Sequence, residues 1–353
     1  MPGCMSIVRE ERGDELGTHR VKSPPGALPQ PAEVLDNDMS KLFATELLVD
    51  VSTLNLDAAS FRQMEEAAGG AEGVPAMVLE TIARRGKQHN PVTGSGGMLM
   101  GRVSRVGSLV RDRGLEVGDR IATLASLSLT PLRVDEIKAV RRESAQLDVV
   151  GQAVVFATAP CAKMPTDLPE KLALALFDVA GAAPQVARLA RAGDTVIVLG
   201  AGGKSGLLCA AEARRRVGRA GRVLGVEAYP EAAEDLRGLG LCDVVLEADA
   251  RDPVLLHQAL SPLTGGRGAD LTLSCVNVPG AELAAVLVTR SRGKVYYFAM
   301  STSFTAAALG AEGVGRDVEL YIGNGYCEGH AEHTLELVRG NVPLRRVLDR
   351  RYG

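Results

Sequence analysis

The chain has 353 residues, a formal net charge of −3 and a pI near 6.0, enough for two full cores and without the basic field that nucleic acid demands. Aromatic residues make up only 3 % and tryptophan is absent, which argues against base-stacking platforms. Six scattered cysteines (Cys4, Cys161, Cys209, Cys242, Cys275, Cys327) form no C-x-x-C pair, and neither an apolar leader nor a membrane-length apolar run is present, so a cytoplasmic protein with reduced thiols is expected.

In chain order, roughly the first 40 residues are rich in Pro and Gly (SPPGALPQPAEV) and predict an extended arm. Residues 44–56 (ATELLVDVSTLNL) read as a strand, and residues 58–89 as helical, with Phe61, Met64, Val78, Leu79 and Ile82 among polar neighbours. NPVTGSGGMLMGRVSRVGSLV places a glycine-rich turn before a strand, and EVGDRIATL (116–124) is a Gly-Asp turn into another. Turn-separated strands of this kind predict an antiparallel β-rich domain over residues 1–168. Helix and strand then alternate over residues 169–353, starting with the helix-like stretch LALALFDVAGAAPQVARLARAG.

Residues 195–206, TVIVLGAGGKSG, carry the most information. A mostly β-branched apolar run enters a glycine-dense turn, and a helical stretch follows. Gly200 permits the turn, Gly202 lets phosphates approach the backbone, and Gly206 lets helix pack on sheet, while Gly203, Lys204 and Ser205 open the helix. A second strand (RVLGVEA, 222–228) ends in Glu227, 21 residues after Gly206. An acid there accepts hydrogen bonds from a ribose 2′-OH and repels a 2′-phosphate, so the spacing predicts NAD as cofactor. The Gly-Lys-Ser triplet is no nucleoside-triphosphate loop, because the first glycine of such a loop would fall at Val198, inside the strand.

Beyond Glu227, Pro230 and Glu231 open a helix that Gly240 closes. Strands at 243–246, 270–275, 294–298 and 319–322 complete a six-stranded count. The fold class is therefore α/β: a C-terminal Rossmann-type doubly wound parallel sheet behind an N-terminal β-rich domain. Val276 and Asn277, then Met300, then Asn324 follow successive strands at the carboxyl edge and are expected beside the cofactor.

That domain order, with LLVDVSTLNLDAASF, PVTGSGGMLMGRVSRVG and EVGDRIATL, resembles the medium-chain dehydrogenase/reductase superfamily over roughly residues 44–340. The resemblance implies a GroES-like catalytic domain at the N-terminus. Within the superfamily, GTHRVKSPPGALPQ, GKQHNPVTGSGGMLMG, VLGAGGKSG, SCVNVPGAE and GNGYCEGHAE are similar to the L-erythro-3,5-diaminohexanoate dehydrogenases of lysine fermentation. This implies reversible oxidative deamination of that diamino acid to 5-amino-3-oxohexanoate and ammonia with NAD, in a homodimer or homotetramer. Where the zinc-dependent branch places His-Glu this chain has Ser95-Gly96, and Asn55 stands where that branch has an early cysteine. No catalytic zinc is expected, and side chains must do the acid–base work.

Such chemistry needs a neutral C3 amine, a base that titrates near neutrality, and receptors for a carboxylate and a second ammonium. His19 and His89 are candidate bases, each equally readable as a satisfied loop histidine. Arg20 is the candidate for the carboxylate. Asp178, a lone acid interrupting LALALF–VAGAA, is a candidate for an ammonium, against a salt bridge to a protein arginine. Asp57 could share that role or merely cap a turn. Asn90 and Ser95 are candidates to hydrogen-bond the substrate, and Lys204 to touch the pyrophosphate. Two other readings stay open: a zinc-free quinone or enoyl reductase using NADPH, opposed by Glu227, and a non-catalytic dinucleotide-binding protein.

Overall fold

A computed structural model describes residues 11–110, 113–299, 301–323 and 325–353, so Cys4, Met300 and Asn324 lie outside the described residues. The chain divides into two compact units between Glu170 and Lys171.

In the first unit a short turn, Thr18–Arg20, leads into an antiparallel pair, β1 (Val21–Ser23) and β2 (Val34–Leu35). Then follow β3 (Glu46–Asn55), α1 (Ala58–Ala68), α2 (Val74–Arg85), β4 (Met98–Val106), β5 (Arg120–Thr123), β6 (Leu132–Arg141), β7 (Gln146–Phe156) and β8 (Cys161–Lys163). Six strands form one sheet in the order β6-β7-β3-β4-β5-β8, with every neighbouring pair antiparallel. β3 is central, and its Leu47, Val49 and Leu54 are buried in a core shared with Phe61, Val78 and Ile82 of the helices. The helical span expected over 58–89 is two helices, because Gly69 at φ 73° ends α1 in a left-handed conformation that favours glycine. The arm is docked as well as extended, for Arg20 within it is fully buried.

The second unit carries α3 (Glu170–Phe177, starting at the boundary), α4 (Ala182–Leu189), β9 (Thr195–Leu199), α5 (Lys204–Val217), β10 (Arg222–Glu227), α6 (Pro230–Leu239) and β11 (Val244–Glu247). It continues with α7 (Pro253–Leu260), β12 (Ala269–Ser274), α8 (Glu282–Leu287), β13 (Thr289–Tyr297), α9 (Phe304–Gly313), β14 (Glu319–Ile322), α10 (His330–Arg339) and α11 (Val342–Tyr352). The sheet order is β11-β10-β9-β12-β13-β14, all parallel. Val196 to Leu199 are all fully buried, as a parallel strand covered on both faces requires. The chain moves outward from β9 to β11 and returns beside β9 as β12. Strand order therefore reverses between β9 and β12, and a ligand crevice opens at their carboxyl ends. Among the described residues no single helix is long and apolar enough to cross a membrane.

Candidate functional site

The crevice of the second unit is built by its glycines. Gly200 leaves β9 at φ 70°, turning the chain sharply. A Cβ on Gly206 would lie 2.0 Å from the Gly200 carbonyl oxygen, so α5 seats against the turn only without a side chain there. The leading N–H groups of α5, from Lys204, Ser205 and Gly206, have no partner within the helix and carry its positive dipole end. Gly203 stands at the N-cap. Glu227, 5 % exposed at the carboxyl end of β10, accepts the Gly202 N–H at 2.8 Å on Oε2, and the Ala228 and Tyr229 N–H groups on Oε1. A carboxylate offers about four lone-pair sites, so capacity for a sugar hydroxyl remains. The Gly202 N–H, expected at a phosphate, is instead held by this glutamate. Across the crevice, Cys275 is bound to β9 through its N–H to the Leu199 carbonyl, and the half-buried Val276 and exposed Asn277 follow it. A close-packed turn, a free helix start and a buried acid at the next strand end fit a dinucleotide.

Two expectations in this unit are corrected. Asp178 does not interrupt a helix; it lies exposed in the turn between α3 and α4. Its Oδ2 accepts from Lys204 Nζ at 2.6 Å, so the acid is paired with a protein cation, a lysine rather than an arginine. Lys204 is thereby drawn toward Asp178, with Tyr352 beneath its ammonium at 5.8 Å, so each group already has a partner within the protein.

In the first unit the candidates separate into two places. Asn55 ends β3, Asp57 follows it, and the loop 90–97 folds beside them, with a Cβ on Gly97 falling 2.2 Å from the Asn55 carbonyl oxygen. Asn55 Oδ1 accepts from Gln146 Nε2 at 3.0 Å. Asp57 caps α1 by accepting the Ser60 N–H, and its other oxygen accepts the Ser60 hydroxyl at 2.5 Å, which in turn meets the Thr93 hydroxyl at 2.5 Å. The capping alternative for Asp57 is thus the observed one. Asn90 is buried and shapes its loop: Oδ1 accepts the Val92 and Thr93 N–H groups, and Nδ2 donates to Gln63 Oε1 at 2.9 Å. Asn90 is spent on this Asx turn rather than offered to a substrate. The half-buried Ser95 accepts the Gly97 N–H at 3.3 Å. His89 precedes this loop with Nδ1 buried and unpartnered, and burial, then Arg85 and Lys87, lowers its pKa below the usual imidazole value.

His19 and Arg20 stand at the other end of β3, with Glu46. Glu46 and Asn55 are the first and last residues of the ten-residue β3, a span of about 30 Å. Arg20 Nε and Nη2 grip the fully buried Glu46 carboxylate at 2.8 and 2.7 Å, and its remaining donors reach the Asp38 and Lys41 carbonyls. His19 Nε2 meets Glu46 Oε1 at 2.8 Å, while Nδ1 faces Asp14. Burial opposes charge on His19, but Glu46 and Asp14 outweigh it and raise its pKa. Both residues are occupied in holding the arm. Arg20 is therefore not a carboxylate receptor, nor His19 a free base.

The L-erythro-3,5-diaminohexanoate dehydrogenase N-terminal domain family matches residues 19–165. Over 343 residues the chain is 47 % identical to L-erythro-3,5-diaminohexanoate dehydrogenase of Acetoanaerobium sticklandii, covering 97 % of this chain and 99 % of that protein. This chain belongs to the L-erythro-3,5-diaminohexanoate dehydrogenase family. A relative of the same name from Fusobacterium nucleatum is 46 % identical over 344 residues, with 97 % of this chain and 99 % of the relative covered. In fold, the chain is similar to a mycobacterial protein solved with NADPH, at a TM-score of 0.57 and 17 % identity over 87 % of this chain and 89 % of that one.

Two buried polar residues stand beside the candidates named from the sequence. Lys87 and Gln88 lie inside the GKQHN segment, next to His89. Lys87 is fully buried, donates to the Pro29 and Gln30 carbonyls at 2.7 and 2.8 Å, and is pushed down to about 8 by burial and by Arg85. Gln88 is 1 % exposed with Oε1 unpartnered. A lysine, an amide and an imidazole in a row just after a helix were the available signal. Among the described residues no group of three or more His, Cys, Asp or Glu is arranged to hold a metal ion.

Proposed function

We propose that this chain catalyses the NAD-dependent oxidative deamination of L-erythro-3,5-diaminohexanoate to 5-amino-3-oxohexanoate and ammonia. The observation that carries the reading is end-to-end identity of 47 % with a dehydrogenase of that name. A nicotinamide dinucleotide supplies the hydride acceptor when bound; the N–H groups at the start of α5 would hold its pyrophosphate and Glu227 its adenosine ribose. The substrate gives up hydride from C3 as its amine becomes an iminium, water adds to that carbon, and ammonia leaves. The C3 amine must be neutral before hydride departs. His89 is the proton acceptor in this scheme: its lowered pKa keeps the imidazole neutral near pH 7, and the ring is only half-buried, although its Nδ1 is enclosed. Ser95 is the substrate-facing hydroxyl of the same loop. The enzyme belongs in the cytoplasm as a dimer or tetramer; the described cysteines are free thiols, which suits that compartment.

The test is dinucleotide reduction and ammonia release by the purified enzyme supplied with the diamino acid. A quinone and an enoyl thioester with NADPH serve as alternative substrates. Bound cofactor without turnover of the diamino acid rejects the reading.

Preference for NAD rests on Glu227, whose buried charge would face a 2′-phosphate. Glu227→Gln removes that charge and weakens the grip on the ribose, so NAD affinity should fall by about tenfold, the loss of a hydrogen bond to a charged group. Titration calorimetry should show NADP losing far less. Equal losses for both cofactors would remove the ribose role.

A further inference from the structure

The last turn of α11 reaches the glycine-rich turn of the second unit. Arg351 Nη1 donates to the Gly202 carbonyl at 2.6 Å, and its Nη2 pairs with Asp235 on α6. On the other side of the same residue, the Gly202 N–H is held by Glu227 at 2.8 Å. Glu227 ends β10 and Asp235 lies on the helix that follows it. A closed circuit therefore runs Glu227–Gly202–Arg351–Asp235. It pins both polar groups of the one residue that a Cβ would force to within 2.9 Å of Glu227 Oε2. Arg351 is only 20 % exposed, whereas its neighbour Arg350 is 63 % exposed and touches Asp235 without reaching the turn. Tyr352, next in the same turn, lies under the Lys204 ammonium at the start of α5.

We propose that Arg351 is a positioning residue for dinucleotide binding. It holds the Gly202 peptide so that Glu227 is aimed at the adenosine ribose and the first N–H groups of α5 at the pyrophosphate. A glycine turn is conformationally free, and fixing it before the ligand arrives removes an ordering cost from binding. An arginine suits the task because its planar fork spans a carbonyl and a carboxylate at once.

The inference rests on the dinucleotide reading above, and the experiment separates the two. NAD affinity is measured by calorimetry on the full-length wild type and on Arg351→Ala, Arg351→Lys and Arg350→Ala, with melting temperatures alongside. Arg351→Ala should raise the dissociation constant for NAD roughly tenfold, the worth of a charge-assisted hydrogen bond. KM for NAD should rise with it, while KM for the diamino acid and kcat at saturating NAD stay near wild type. Arg351→Lys, which keeps a donor for the Gly202 carbonyl, should recover much of the loss, and Arg350→Ala should bind as wild type does. Wild-type affinity in Arg351→Ala overturns the positioning role, as does an equal loss in Arg350→Ala. A wild type that binds no dinucleotide overturns the functional reading instead.

Discussion

Arg20 and Glu46 are both fully buried and joined by two hydrogen bonds, and His19 shares the same carboxylate. Two charges taken from water together are tolerated only while they remain together. Arg20→Met should leave the buried Glu46 with His19 as its one remaining side-chain partner and destabilise the protein by roughly 3 kcal/mol. Urea unfolding measures this, and adding Glu46→Leu should recover much of the loss. Enzyme that remains folded should keep its KM for the diamino acid; a selective rise in that KM would restore the substrate-receptor role. The Asp178–Lys204 pair is the opposite case. Its side chains are 36 % and 23 % exposed, so water screens the attraction and the pair contributes no more than about 1 kcal/mol. Equal chemistry at two depths gives unequal consequences.

Among the elements, β9–α5–β10 shows how backbone contact limits sequence. Gly206→Ala drives a methyl to 2.0 Å from the Gly200 carbonyl, and a backbone atom cannot yield as a side-chain tip does. Displacing α5 should cost about 3 kcal/mol or more and abolish dinucleotide binding. Gly238→Ala, in the last turn of α6 with nothing within 4 Å of the new Cβ, should instead be neutral or stabilise by up to about 0.5 kcal/mol. Thermal melting and NAD titration of the two variants decide it, and similar behaviour would refute the packing argument. The same constraint explains why this element was legible in the sequence: only glycine fits, so the glycines are printed there. The hairpin of β6 and β7 went unread because its ladder shifts register between Val134 and Glu136 and again between Ile137 and Ala139, which breaks the two-residue alternation. The turn at Asp178 was hidden because an apolar run on both sides keeps helical periodicity across a break. The site residues were less legible than the fold. A partner 26 positions away, as Glu46 is from Arg20, leaves no local pattern to read.

For the molecule as a whole, the docked arm links stability to pH through two groups of opposite sign. His19 titrates above its ordinary 6.5 when folded, so between 6.5 and that raised value the folded chain holds more protons than the unfolded. Its contribution is complete below pH 6.5 and fades as pH climbs through the folded value. Lys87, whose Nζ ties down Pro29 and Gln30 of the same arm, falls from 10.5 to about 8 on folding. Between those values the unfolded chain holds the extra proton, so stability rises with pH there. The urea midpoint should therefore sag above pH 6.5 and recover between pH 8 and 10.5. His19→Gln should remove the sag and keep the recovery, whereas Lys87→Met should keep the sag and remove the recovery. Both variants lose hydrogen bonds, so their midpoints start lower at every pH, and the shape of the curve rather than its height is the evidence. A wild-type midpoint that stays level through both windows would show that the arm is held without help from either charge.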